Sequence, residues 1–290
     1  MKPTFIIAGC GKCGTTTLAY LLDQHPDVFV SKPKEPNFLS YDRVYSQGWH
    51  WYESLFEKGA NQTSRGESSV SYTLEEYEAK VCDRISQYLP DIRILYIARN
   101  PFKRLESVYR EHHNSGHQHG WYMPYSLKEA IAYRPQMVTN SLYWQRTAPF
   151  RAILPSDRIL YLCLEDLQAN PEQVLRKCFE FIGVDASIPI EQSQHRLNEG
   201  SQKMYDTRLM RFIRTQKLIH HLYQRLPKQI HELATPLLRK PFGKQDLYWE
   251  SSFRREFIQQ MGDDVQKFLA ACEKSSNFWG DEFLLDTKIS

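Results

Sequence analysis

Residues 4–26, TFIIAGCGKCGTTTLAYLLDQHP, restrict the fold more than any other part of the chain. A short apolar run rich in β-branched and aromatic residues is stopped by Gly9, which reads as a buried strand. A glycine-punctuated loop follows, and then TTLAYLLDQH, a helix that Thr15 or Thr16 can cap and Pro26 closes. The opening unit is therefore predicted to be strand–loop–helix.

The same alternation continues downstream. Strands are predicted at VFVS, RGESSVSY, DIRILYIAR and RILYLCLE. Between them, TLEEYEAKVCDRISQYLP has helical periodicity with a Thr cap, and NPFKRLESVYREHHN starts with Asn100 as cap and Pro101 at the first helical position. Further helices are predicted over 126–134 and 138–152 and at NPEQVLRKCFEFIGV. Strands alternating with helices imply an α/β fold with a parallel sheet flanked by helices on both faces. From about residue 205 the pattern is mainly helical. We expect one domain over 1–290, with an α/β core over about 1–205 and a helical C-terminal part over about 206–290.

A chain of 290 residues, 41% hydrophobic, can bury a sizeable core. It contains no run of about 18 apolar residues, and MKPTFIIAG is too short and too quickly interrupted for a signal peptide. A cytoplasmic location is the expectation. The six cysteines are scattered apart from Cys10 and Cys13, as in a protein with free thiols. Net charge is only +3, yet residues 203–244 hold ten Lys/Arg against Asp206 and Glu232, leaving the rest of the chain near −5. That segment reads either as a solvated helix face or as a surface for an anionic substrate or a membrane. No nucleic-acid partner is expected, and no sustained heptad pattern marks an oligomer interface.

The glycine loop admits three chemistries. Cys10 and Cys13 form a Cys-x-x-Cys at a helix N-terminus, where the dipole favours thiolate; redox proteins of that kind, however, place the pair after an earlier strand and helix. Gly9 and Gly14 have the separation of a nucleotide-binding phosphate loop, but Thr15 stands where that loop needs its lysine. In the third chemistry the N–H groups around Gly9, Gly11 and Gly14 close on an oxyanion, with the hydroxyls of Thr15, Thr16 and Thr17 at the helix start. Lys12 then projects from within the loop, where it can reach a bridging oxygen of an anhydride rather than a terminal phosphate.

On these residues the chain resembles the sulfotransferases that use 3'-phosphoadenosine 5'-phosphosulfate, whose phosphosulfate loop has a Lys two residues before Gly-Thr-Thr. GKCGTTTL matches it, which implies donor binding by Gly11, Lys12, Cys13, Gly14, Thr15, Thr16 and Thr17. The family's 3'-phosphate site is a strand ending in Arg, then Asp/Asn-Pro opening a helix, then a Ser eight residues after the Arg; Arg99, Asn100, Pro101 and Ser107 fall on it. A guanidinium fork suits a phosphate, and both loops would lie at carboxyl ends of parallel strands. A late segment, Ser201, Gln202 and Lys203, looks like the one that closes this site in relatives, although the family's Gly-x-x-Lys-Gly form is absent. The resemblance implies no metal requirement, and adenosine 3',5'-bisphosphate as product.

The resemblance also bears on catalysis. No Lys-Thr-His-like segment of the cytosolic small-molecule enzymes is present. SKPKEPNFLS instead resembles the heparan-sulfate type, in which a Lys-Glu pair before a short aromatic stretch supplies the base; this maps onto Glu35, and GWHWYESLF fits the Trp-Tyr helix that follows in that branch. Glu67 in RGESSVSY resembles another family position near the acceptor. Lys12 and the loop amides would serve the leaving group. The implied acceptor is a hydroxyl or amine of a saccharide, glycolipid or related small molecule. His112, His113, His117 and His119, followed by Trp121, Tyr122 and Tyr125, read as a loop over the acceptor or as a packed aromatic patch, and less as a metal site, since no carboxylate or Cys cluster joins them. A nucleotide kinase and a non-catalytic nucleotide-binding module are the alternatives.

Overall fold

The computed structural model describes residues 1–190, 203–242 and 247–284. In chain order its strands and helices begin with β1 (Phe5–Ala8), α1 (Thr15–Leu22), β2 (Val28–Val30), α2 (Asp42–Tyr45), α3 (Gly48–Ser54), β3 (Ser64–Ser68), α4 (Glu78–Tyr88), β4 (Arg93–Ala98) and α5 (Pro101–Ser115). They continue with α6 (Leu127–Tyr133), α7 (Gln136–Thr139), α8 (Tyr143–Arg146), α9 (Ala148–Ile153), β5 (Ile159–Cys163), α10 (Leu164–Ala169) and α11 (Pro171–Ile182). After residue 203 come β6 (Met204–Asp206), α12 (Arg208–Thr215), α13 (Lys217–Gln224), α14 (Lys228–Leu238), β7 (Arg239–Pro241) and α15 (Ser251–Ala271).

Two compact units share these elements. The first comprises described residues 1–104, 138–190 and 255–284, and the second 105–137, 203–242 and 247–254. The chain thus leaves the first unit and returns to it twice, rather than dividing once.

The first unit is built on a five-stranded sheet in the order β2-β3-β1-β4-β5. Every pairing is parallel, with Ile7 opposite Ser68, Ala8 opposite Tyr96, and Ala98 opposite Cys163. Parallel strands need cover on both faces, and the side-chain alternation provides it. Phe5, Ile7, Leu95 and Ile97 pack with Leu18 and Leu22 of α1 and Val174, Cys178 and Phe179 of α11. On the opposite face, Tyr96 and Tyr161 meet Phe268 of α15, with ring centroids 5.8 and 5.7 Å away.

Local chemistry sets several boundaries. Asn100 caps α5 by accepting the Lys103 N–H at 3.2 Å, and Asn170 caps α11 through Gln173 N–H at 3.2 Å, each worth about 1 kcal/mol. Three expectations need correction. Neither Thr15 nor Thr16 caps α1; the cap is Gly14, at φ 91°, and no side chain bonds there. α4 starts at Glu78 because residues 70–73 form a tight turn, whose Tyr72 hydroxyl is drawn to Glu67 at 2.5 Å. The helix over 138–152 is broken into α7, α8 and α9. Asp264 accepts the N–H groups of Trp144 and Gln145 at 3.0 and 2.8 Å and so starts α8, while Pro149 favours the start of α9.

The second unit pairs β6 with β7 antiparallel. Its interior is largely aliphatic, with Leu105, Val108, Leu127, Met210 and Leu238 buried, and holds Tyr109, His113 and Asp206 among them. Buried Asp206 is paired with Arg214 at 2.7 Å and Arg239 at 3.0 Å. No helix among the described residues is long and apolar enough to cross a membrane.

Candidate active site

The loop between β1 and α1 is shaped by two glycines at positive φ, where any other residue would be strained. A Cβ on Gly9, at φ 135°, would lie 2.3 Å from the Ile97 carbonyl oxygen; one on Gly14 would lie 2.5 Å from Leu164 Cδ1. Gly11 differs, since a Cβ there would meet nothing within 4 Å. The loop is pressed against β4 at one end and against the start of α10 at the other, and a side chain at its middle glycine would meet open space. Lys12 stands in that open part with φ 75°, a left-handed conformation that costs a non-glycine residue about 1–2 kcal/mol. In α1 the first intrahelical bond runs from Leu18 N–H to Gly14 O, so the amides of Thr15, Thr16 and Thr17 precede the hydrogen-bonded ladder. The loop and helix start thus place the Lys12 side chain, three helix-start amides and Thr15, Thr16 and Thr17 close together in sequence and fold. The residues present fit a phosphosulfate.

The cysteines do different work. Both are fully buried. Burial pushes the Cys13 thiol up to about 12, the opposite of what a redox thiol needs. Cys13 Sγ approaches the Tyr143 hydroxyl at 4.0 Å, and Cys10 Sγ donates to Asn140 O. They are small fillers that let the loop lie flat on its neighbours.

Arg99 follows the carboxyl end of β4, the strand beside β1, so it shares the sheet edge from which the loop emerges. Its charge acts on Cys13, lowering that thiol's pKa against the larger effect of burial. Its backbone is fastened by the Tyr143 hydroxyl, which donates to Arg99 O at 2.6 Å. Next to it, Asn100 N–H donates to Glu165 Oε1 at 3.0 Å and Asn100 Nδ2 to Trp279 O at 2.7 Å, while Trp279 Nε1 donates to Glu165 Oε2 at 3.0 Å. Ser107 lies two turns further along α5, half-buried, in the second unit. Lys203 is ion-paired with Glu111 within that unit. Ser201 and Gln202 fall outside the described residues.

Glu35 and Glu67, both candidate bases from sequence, occupy opposite environments. Glu67 is completely buried and accepts from Tyr52 at 2.7 Å, Tyr72 at 2.5 Å and Ser69 at 2.6 Å. Burial raises its pKa, against the lowering pull of those hydroxyls. A group with no exposed surface and three donors is placed to hold its neighbours, not to touch an acceptor. Glu35 has a side chain 37% exposed and pairs with Lys34 at 3.0 Å, whereas Lys32 is taken by Asp23 at 3.1 Å. Its backbone is left-handed, φ 58°, and its N–H donates to the O of Ser68, the last residue of β3, at 3.1 Å. Asn37, also left-handed, donates from Nδ2 to Glu35 O at 2.7 Å and is held in turn by Ser71 and Ser69. Ser68 lies opposite Ile7, so the Glu35 segment, which follows β2, is tied to β3, the strand between β2 and β1, at the same carboxyl edge from which the glycine loop leaves β1.

The Trp-Tyr helix, α3, buttresses this arrangement. Tyr52 stacks on Phe38 with centroids 4.4 Å apart and donates to Glu67, joining the Glu35 segment to β3. Sequence reasoning missed Arg104, Tyr143, Glu165 and Trp279. Arg104 is buried, donating to Gly11 O at 3.2 Å and to Ser141 Oγ at 2.5 Å. An arginine one turn into a helix carried no sequence signal of such a contact.

The histidine-rich stretch belongs to the second unit and is packed. Arg211 Nη2 bonds His113 Nδ1 at 3.2 Å, and His113 Nε2 lies 3.0 Å from Pro124 O. Burial, then the Arg211 charge, depresses His113 to about 4. Trp121 is covered by the Arg134 guanidinium at 3.7 Å and by the rings of His112 and His119, and Arg211 lies 3.8 Å over the Tyr125 ring. Among the described residues no group of three or more His, Cys, Asp or Glu could hold a metal ion.

The chain is 33% identical over 109 residues to human (Homo sapiens) heparan sulfate glucosamine 3-O-sulfotransferase 6, which covers 38% of this chain and 30% of that protein. It is 25% identical over 203 residues to the mouse (Mus musculus) bifunctional heparan sulfate N-deacetylase/N-sulfotransferase 3, covering 63% of this chain and 22% of that one. The chain therefore matches less than a third of the length of either relative. The crystal structure of a sulfotransferase from Alicyclobacillus acidocaldarius superposes with a TM-score of 0.64 at 20% identity, over 96% of this chain and 99% of the other, and shows the same fold. The family model described as the sulfotransferase domain matches residues 2–273, and on that span, which takes in the glycine loop, Glu35 and the Arg99 strand end, the chain belongs to the sulfotransferase domain family.

Proposed function

We propose that the protein transfers a sulfuryl group from 3'-phosphoadenosine 5'-phosphosulfate to a hydroxyl or amine of a carbohydrate, glycolipid or related small molecule. The observation that carries this reading is Lys12, held left-handed in the open part of a loop whose ends are locked by Gly9 and Gly14. Bound there, the donor supplies an activated sulfuryl group on a phosphate. Lys12 and the amides at the start of α1 stabilise charge on the phosphate oxygen, as fixed donors in a water-poor site do. Arg99 binds the 3'-phosphate through its guanidinium fork. Glu35, partly exposed and beside Lys34, takes the acceptor's proton. The heparan sulfate named in both relatives supports a saccharide acceptor.

Calorimetric titration with adenosine 3',5'-bisphosphate tests the reading. Binding is expected without added magnesium, and Arg99→Ala is expected to weaken it about a hundredfold, the worth of a charge-assisted bidentate contact. No binding by the unmutated protein overturns it.

A further inference from the structure

Helices α12, α13 and α14 show solvent more large apolar side chains than their own packing explains. Leu209 and Phe212 are 57% and 55% exposed, Leu218 and Leu222 are 72% and 56%, and Leu233 and Leu237 are 78% and 76%. Each pair is spaced three or four residues apart, so each helix carries its own apolar face. α13 buries no residue at all despite Leu218, Ile219 and Leu222. Helices of eight to eleven residues owe their stability to burying such a face, and here the described residues leave it exposed.

Charge narrows what can cover it. Arg208, Lys217, Arg225, Lys228 and Lys240 are exposed on this segment, against one exposed acid, Glu232. The remaining arginines are engaged inside the unit, Arg211 with His113 and Tyr125, and Arg214 and Arg239 with Asp206. The covering surface must therefore accept aliphatic side chains and carry negative charge. A bilayer with anionic headgroups does both: leucines enter the boundary of headgroups and acyl chains while lysines and arginines extend to phosphates. A second copy of the chain would oppose two faces of the same positive sign, which is disfavoured.

We propose that α12–α14 form a docking surface for an anionic lipid bilayer. The surface is independent of the nucleotide loop, whose binding is read separately by bisphosphate titration in solution.

Cosedimentation of the full chain with vesicles tests it. Vesicles of equal parts phosphatidylcholine and phosphatidylglycerol should pull the protein down, vesicles of phosphatidylcholine alone about tenfold less, and added salt should weaken the anionic case. Leu218→Asp combined with Leu233→Asp should reduce partition tenfold or more, since each places a charge at the headgroup boundary. Both sites are largely exposed, so the circular dichroism and melting of this variant should match the parent. Lys217→Glu with Arg225→Glu should lower binding to the anionic vesicles. No partition onto anionic vesicles overturns the proposal, as does partition unchanged in the leucine variant. Self-association in sedimentation velocity that the leucine variant abolishes, without vesicle binding, assigns the face to a second copy and overturns it as well.

Discussion

Arg104 Nε donates to the carbonyl oxygen of Gly11 at 3.2 Å, from a side chain that is itself buried. A guanidinium from the first turn of α5 thus braces the glycine loop from behind, and its other arm holds Ser141 at 2.5 Å. Around it lie Cys10, Cys13, Tyr96 and Tyr143, whose ionised forms it would favour. Arg104→Gln should leave the Gly11 carbonyl without this partner and cost on the order of 1–3 kcal/mol of stability. The bisphosphate should also bind more weakly, with Arg104→Lys recovering stability but not the full affinity. Thermal melts and calorimetry on the two variants check this, and unchanged affinity in Arg104→Gln would remove Arg104 from the positioning of the loop.

Lys12→Ala separates binding from chemistry. If the ammonium acts on charge that develops during transfer, turnover should fall on the order of a hundred- to a thousandfold, while bisphosphate affinity changes far less. Single-turnover rates with labelled donor, set beside calorimetry, provide the comparison.

Glu35→Gln and Glu67→Gln should fail in different ways. The Glu35 variant is expected to melt like the parent and to lose most of its transfer activity. In the Glu67 variant an amide replaces a carboxylate that accepts from three hydroxyls, so stability should drop by about 1–3 kcal/mol. Full activity in Glu35→Gln would reject it as the base.

The pH dependence of stability contains two opposed contributions. His113 falls from its usual value to about 4 on folding, so the unfolded chain binds more protons between about 4 and 6.5, and stability is lost as pH falls through that window. Asp264 rises to about 6, so the folded chain binds more protons between about 4 and 6, and stability is gained as pH falls. His113→Gln should flatten the acid-side loss, and Asp264→Asn should steepen it. Denaturant melts from pH 4 to 7 on both variants measure the two slopes.

Cys13, with its thiol pushed up to about 12 and no exposed surface, should resist iodoacetamide at pH 8 in the folded protein and react once it is unfolded. Rapid labelling of the native thiol, read by mass spectrometry, would contradict this assignment.

Much of the parallel sheet was legible because apolar runs ending in Gly or Asn-Pro are local signals. β1 and β4 and the caps at Asn100 and Asn170 are instances. Local signals failed where a distant group took over the backbone. Asp264 is 120 residues from Trp144, yet its carboxylate breaks the helix expected over 138–152. Glu67 likewise draws Tyr72 into a turn over 70–73, where the end of a strand and the Thr cap of the next helix were expected.

The chain's own order of residues determined the strand–loop–helix, the placing of Lys12 in its loop and of the threonines at its helix start, and the Arg99 strand end, because each depends on neighbours within one or two turns. The tertiary structure decided the rest. Glu35 and Glu67 look alike in sequence, and only burial, which depends on packing by Tyr52, Phe38 and Tyr72, separates an exposed carboxylate from a sealed one. The same holds for the cysteine pair: spacing alone suggests a reactive thiol, while removal from water, a property of the assembled core, raises the cost of its charge and makes Cys13 inert.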